Sequence, residues 1–303
     1  MEKIAIIGTG LSAMSAIEAL KSYKKFQISV FETGSKNNIK FLKEKKTLFP
    51  NKSFKYASKI FETEKKKFKK LYKIQENKFF LSSVGGLGGL SNYWGGGVQI
   101  PNDDYYEKYK ISNKMQDYKK EILSILNLNK KNISLLNVIR KNPLYKKLNT
   151  INDKQISIED LNISLDEKNI KKTFTTGKYF IDLHKKKKIK LHLNHSVKNI
   201  VQIKDKYELE IEKKNKNILL KDFDIVISCA GLIGSSYLVA KFHNEYNKKF
   251  IFYNNDIYQL CFFNKNLKMN KFNKFQFSHP LKKIKVKYKN FISEGSILPM
   301  SFL

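Results

Sequence analysis

The chain opens with an uninterrupted apolar run, Ile4-Ala5-Ile6-Ile7, of the type presented by a strand buried on both faces. Gly8-Thr9-Gly10-Leu11-Ser12-Ala13 follows at once and leads into Ala16, Ile17, Ala19 and Leu20 at helical spacing. Strand, glycine turn and helix are therefore predicted in that order. A second strand, Gln27-Ile28-Ser29-Val30-Phe31, ends in Glu32. Over residues 36–78, Phe61, Phe68, Leu71 and Tyr72 form one stripe among lysines, which predicts a solvated amphipathic helix. Phe79-Phe80-Leu81 reads as another strand, and residues 103–109 with Met115, Tyr118, Ile122, Ile125 and Leu126 follow helical periodicity. Residues 128–172 are polar and rich in Asn and Lys, and predict an irregular excursion with short elements.

From Ile189 the period changes to two, through Leu191, Leu193, Val197, Ile200 and Ile203 to Tyr207-Glu208-Leu209-Glu210-Ile211-Glu212. Antiparallel strands are predicted, with turns at 204–206 and 213–217. Residues 224–231 read as a buried strand ending in small residues, and 232–242 as a helix. Short strand-like runs follow at 258–263, 274–277 and 282–288. With 303 residues and 41% hydrophobic content, a buried core is expected.

Charge changes this picture less than its size suggests. The 59 basic against 27 acidic residues give +32, which points to polyanions, yet Arg140 is the sole arginine. Arginine reads phosphate and guanine edges bidentately, so a specific nucleic-acid partner is not expected. A basic nucleic-acid-binding protein stays open as a reading supported by charge alone. Lys185 to Lys188 reads as a solvated turn. Cys229 and Cys261 are far apart, without a CxxC partner, and imply neither a disulfide framework nor a metal site. The uncharged stretch 225–240 falls short of a membrane span, and a cytoplasmic protein is expected.

Two stretches carry candidate chemistry. In the first turn, Gly8 permits the tight bend, Gly10 lets backbone approach a pyrophosphate, and the helix N-terminus offers N–H groups and a positive dipole end. Ala13 stands where a third glycine is usual and still allows close helix–strand packing. Glu32, 24 residues after Gly8, is where an acid meets ribose hydroxyls, and it disfavours a 2′-phosphate. These residues suit NAD or FAD. The second stretch, Ser82 to Val98, holds seven of the fourteen glycines and the only tryptophan, Trp94. So dense a cluster suits a backbone that turns sharply or meets a broad ligand.

Four stretches together, GTGLSA at 8–13 with Glu32, GGLSNYWGGG at 88–97, the strand ending near Ser196-Val197, and DIVISCAGLIGSS at 224–236, resemble the glucose–methanol–choline (GMC) flavoprotein oxidoreductases. The resemblance implies an α/β protein. A Rossmann-like FAD-binding domain would occupy 1–240 with a helical excursion at about 101–172, and an incomplete β-rich substrate domain 241–303. It implies that Gly8, Gly10, Ser12 and Ala13 lie at the FAD pyrophosphate and Glu32 at the ribose. Gly88, Gly89, Ser91, Asn92 and Tyr93 would lie along the pyrophosphate and isoalloxazine, Val197 at the adenine through its backbone, and Ala230 and Gly231 at the phosphates.

Some members attach the flavin to a histidine just before the tryptophan. Tyr93 stands there, which implies non-covalent FAD. The implied activity is oxidation of a CH–OH group of an alcohol or sugar, polysaccharide-related sugars included, by hydride transfer to flavin N5. Members are considerably longer, and their catalytic histidine lies in a C-terminal segment. A truncated form is therefore expected, with its catalytic residues unknown. His184, His192, His195 and His243 read as structural, and the neighbours of His279 do not match the family's catalytic motif. Two alternatives stay open: a fragment or pseudoenzyme that only binds FAD, and half of an oxidoreductase completed by a separately encoded C-terminal chain.

Overall fold

The computed structural model describes residues 1–20, 25–35, 66, 86–92, 97–98, 124–126, 154–160, 162–164, 174–245, 282–288 and 291–297. The expected helix within 36–78 apart from residue 66, the strand at 79–81, most of the helical cover at 103–126, the runs at 258–263 and 274–277, and Tyr93, Trp94, Cys261 and His279 lie outside the described residues. The chain divides into two units. One comprises Met1–Thr47, Asn51–Asn92 and Thr175–Tyr258, the other Leu48–Pro50, Tyr93–Phe174 and Gln259–Leu303.

The first unit is built on a parallel sheet. Strand β1 (Glu2–Ile7) leads through the glycine turn into helix α1 (Leu11–Leu20), and β2 (Phe26–Glu32) returns parallel to β1. Helix α2 (Thr176–Lys185) precedes β3 (Lys190–Leu193), which pairs parallel with β2. Strands β4 (Ser196–Ile203), β5 (Lys206–Lys213) and β6 (Lys216–Phe223) form an antiparallel meander. The chain then enters β7 (Ile225–Ser228), parallel to β1, and helix α3 (Gly231–Phe242). The order in the parallel sheet is β7-β1-β2-β3, an α/β arrangement of Rossmann type.

Alternation along β1 explains its position. Ala5 and Ile7 point to one face and pack with Phe31, Val197, Leu209, Ile211, Phe223 and Leu238, so the meander and α3 cover that face. Ile4 and Ile6 point the other way and are equally buried, as are Met14 and Ile17 of α1. Each such side chain contributes about 1.5–3 kcal/mol relative to exposure. Tyr179 of α2 donates to the buried Glu18 of α1 at 2.5 Å. Asp224 joins two elements, accepting from Lys3 N–H at 2.7 Å and pairing with Lys206.

Three expectations change. The segment from Ile189 does not begin with an antiparallel strand. β3 runs parallel to β2, and the contact continues beyond it, with His195 N–H on Glu32 O and Asn194 N–H on Gly34 O, each at 3.0 Å. Period two marks a half-buried strand of either sense, so alternation did not separate β3 from the meander that follows the left-handed Asn194 (φ 56°). β7 is not a fully buried strand: it ends the sheet among the described strands, and Ile225 is 40% exposed. α2 and β6 are additional elements. The turn at Lys185 to Lys188 is exposed, as expected.

In the second unit, Ile156–Asp160 and Phe291–Ile297 flank Lys282–Tyr288, pairing antiparallel with it on either side. Gly97–Val98 pairs with Asn162–Ile163, and Ser164 Oγ donates to Leu126 O at 2.8 Å.

Candidate dinucleotide site

Parallel strands deliver their C-terminal ends to one edge of the sheet, where ligands of open α/β sheets bind. Here that edge gathers the turn 8–10 after β1, Glu32 to Gly34 after β2, and Ala230-Gly231 after β7. Gly8 takes φ +109°, and its N–H donates to Phe31 O at 2.8 Å. A Cβ on Gly8 would stand 2.3 Å from Cys229 O, so this glycine is required by the neighbouring strand end. Gly10 differs: a Cβ there would meet nothing among the described residues within 4 Å. Its carbonyl accepts the Met14 N–H at 3.1 Å and starts α1, whose first N–H groups lack intrahelical acceptors. Ser12 is exposed on that first turn, whereas Ala13 is fully buried in the helix–sheet packing.

The second glycine stretch lies against this turn. Residues Gly89–Asn92 form a 3₁₀ turn, with Gly89 N–H on Gly86 O at 2.7 Å. Gly34 and Gly86 touch backbone to backbone, since a Cβ on Gly34 would lie 2.3 Å from the Gly86 Cα. Gly89, at φ +52°, has the Gly10 Cα as its sole neighbour within 4 Å among the described residues, at 3.8 Å from its notional Cβ. Gly10 and Gly89 thus form a continuous strip of backbone free of side chains, beside the start of α1. Gly231 (φ +74°) is exposed and open, and Ser235 Oγ accepts the Ala230 N–H at 3.1 Å to close the turn into α3.

A buried polar network holds these parts together. Glu32 is buried, its Oε2 accepting from the Thr9 hydroxyl at 2.5 Å and its Oε1 from Gly34 N–H at 2.8 Å. Gly88 N–H donates to Thr9 Oγ1 at 2.8 Å. Ser91 Oγ donates to Gly88 O at 2.6 Å and accepts from Thr176 N–H at 3.1 Å, at the first residue of α2. Thr176 Oγ1 donates to Thr9 O at 2.6 Å. Asn92 Nδ2 donates to Leu87 O at 2.8 Å, which fixes the amide so that its Oδ1 is the free end. That oxygen is buried and has no hydrogen-bond partner among the described residues. Buried acceptors left unpaired are uncommon, and this one suits a donor on a ligand.

A strip of bare backbone, a helix N-terminus and an unpaired buried acceptor fit a nucleotide diphosphate carrying hydrogen-bond donors. Gly8, Gly10, Ser12, Glu32, Gly88, Gly89, Ser91, Asn92, Ala230 and Gly231 lie along the sheet edge or the loop fastened to it. Val197 stands apart in kind: it is buried in the core, and its residue pairs with Ile211. Tyr93 lies outside the described residues. Sequence reasoning did not single out Gly34, Gly86, Thr9 or Thr176. A glycine two residues past the acid was the one available signal for Gly34.

The described histidines are engaged elsewhere. His195 Nδ1 contacts Leu193 O at 2.7 Å, and His184 Nδ1 lies 3.3 Å from both Ile189 O and Leu191 N. His192 stacks on Phe31 with ring centres 4.8 Å apart. Burial, then His195, Lys190, Lys213 and His184, hold its imidazole below the usual histidine value of 6.5. The unfolded chain therefore takes up this proton first. The His192 contribution is fully present above about pH 6.5 and is lost as pH falls from there through the folded-state value. Proton NMR titration should give His192 a midpoint below about 6.5. A midpoint at or above that value would contradict the burial. Burial raises the half-buried Cys229 thiol to about 11, so it is a poor nucleophile at neutral pH.

Among the described residues no group of three or more His, Cys, Asp or Glu side chains could hold a metal ion, and no helix is long and apolar enough to cross a membrane. No protein-family model matches the chain, and no curated protein does. Solved structures do. Pyridoxine 4-oxidase from Mesorbium loti aligns at 9% identity with a TM-score of 0.46, over 76% of this chain and 50% of its own. A fungal aryl-alcohol oxidase aligns at 12% identity with a TM-score of 0.38, over 75% and 45%. The chain spans about half the length of these solved structures.

Proposed function

We propose that the chain is the FAD-binding part of a GMC-type flavin oxidoreductase acting on the CH–OH group of an alcohol or sugar. The observation that carries this reading is the bare backbone strip of Gly10 and Gly89 at the start of α1, with the unpaired Asn92 Oδ1 on the same loop. Backbone N–H groups and the Ser12 hydroxyl would hold the diphosphate, with Gly231 leaving room beside it. Glu32, at the end of β2, would accept a ribose hydroxyl. Asn92 would accept from a donor on the cofactor. Bound FAD would supply the hydride acceptor. Residues 1–240 form the FAD-binding part in this reading and 241–303 belong to a substrate-binding part. The flavin is held without a covalent bond, Tyr93 standing where a histidine would attach it.

Purified protein should be yellow, or become so on adding FAD, and lose the flavin on denaturation. A colourless protein that FAD does not reconstitute would sink the reading. A second reading, that the chain holds FAD without oxidising a substrate by itself, is favoured by the side chains named at the strip. They are hydroxyls, one amide and one carboxylate already accepting two hydrogen bonds. Anaerobic mixing of the FAD-bound protein with a panel of alcohols and sugars separates the two. Bleaching supports the enzyme, and persistent yellow colour supports the binding protein.

A further inference from the structure

The turn after β1 and the loop 86–92 are far apart in sequence, and the hydroxyls that join them have their proton directions settled. As a carboxylate Glu32 accepts, and Gly88 N–H can only donate, so the single Thr9 hydroxyl proton goes to Glu32 and its oxygen receives Gly88. The Thr176 proton goes to Thr9 O and the Ser91 proton to Gly88 O. Thr9 is therefore gripped at both its side chain and its carbonyl, and is 1% exposed. Its neighbours on either side are glycines, one forced by a strand end and one facing open space, and neither offers a side chain to hold the loop.

From this geometry we propose that Thr9 is a positioning residue for the cofactor: it clasps the loop 86–92 to the dinucleotide turn and keeps Gly89 and Asn92 in place beside Gly10. Glu32 is the far end of the clasp, so the acid acts on the loop through Thr9 as well as on its own account. The proposal rests on the FAD reading above. Valine matches threonine in shape and removes the relay, leaving Gly88 N–H and Glu32 Oε2 each short of one partner.

The test compares wild type, Thr9→Val and Thr9→Ser, with FAD as the probe. Thr9→Val is expected to raise the FAD dissociation constant at least ~10-fold and to speed hydrogen exchange at the Gly88 amide by a similar factor, whereas Thr9→Ser stays within about 3-fold of wild type on both. A Thr9→Val protein that melts lower but binds FAD as wild type does would show a purely structural role and overturn the proposal, as would unchanged Gly88 exchange. If Thr9→Val does not fold, Thr9→Cys, whose thiol is a weak donor and acceptor, is read on the same scale. Wild type failing to bind FAD sinks the functional reading and with it the cofactor role of Thr9, whereas unchanged Gly88 exchange in Thr9→Val overturns the clasp itself, with or without flavin.

Discussion

Gly10→Asp is expected to leave the protein folded and to raise the FAD dissociation constant at least ~100-fold. Two observations remove the usual reasons for a glycine at this position. A Cβ on Gly10 meets no atom of the described residues within 4 Å, and its φ lies outside the left-handed region. Gly10 also precedes α1 and accepts the first helical hydrogen bond, and aspartate is among the best residues there. Stability should change by no more than about 0.5–1 kcal/mol, in either direction. Binding should suffer because the new carboxylate occupies the strip where a diphosphate would lie. Two unit charges about 4 Å apart near a protein surface repel by roughly 4 kcal/mol, and each 1.4 kcal/mol is tenfold in affinity. Flavin titration and thermal melting of the flavin-free protein check the two halves separately. Unchanged binding would show that the diphosphate does not sit on Gly10.

The difference between Gly10 and its neighbour Gly8 shows how far the sequence could be read. Strand, glycine turn, helix, second strand and terminal acid were all legible, since each is patterned over consecutive residues and strong local signals agree with one another. The reason for each glycine was not. Gly8 and Gly10 look alike in GTGLSA, yet one abuts Cys229 O and the other faces open space. The clasp was equally hidden, because Thr9 and Thr176 stand 167 residues apart and ordinary threonines carry no signal of partnership. α2 escaped notice because its ten residues include a polar first turn and end in a lysine run. β6, KNILLKDF, lacks clean alternation, and only Phe223 is fully buried. The role of β3 depended on β2 lying beside it, which alternation within Lys190–Leu193 does not encode. Gly34 was passed over for the same reason: its need is the Gly86 backbone, a long-range contact.

Gly8→Ala is expected to cost more than about 3 kcal/mol. At φ +109° a side chain is strained by roughly 1–3 kcal/mol. The methyl would also lie 2.3 Å from Cys229 O and 2.8 Å from its carbonyl carbon. Neither is the end of a side chain that could swing aside, so strand ends must part, at a typical further cost of about 1–3 kcal/mol. Two backbone hydrogen bonds resist that movement, Gly8 N–H to Phe31 O and Cys229 N–H to Ile7 O, both at 2.8 Å. For a domain of about 150–250 residues a loss of 3 kcal/mol lowers the melting temperature by roughly 6–12 °C. A melting temperature within about 2 °C of wild type would show that the β1 and β7 ends are further apart than described. Loss of flavin in this variant says nothing about where the diphosphate lies, because the turn, the start of α1 and the Thr9 clasp all move with Gly8. Only a substitution that spares those bonds, as Gly10→Asp does, separates the architecture of the turn from its use.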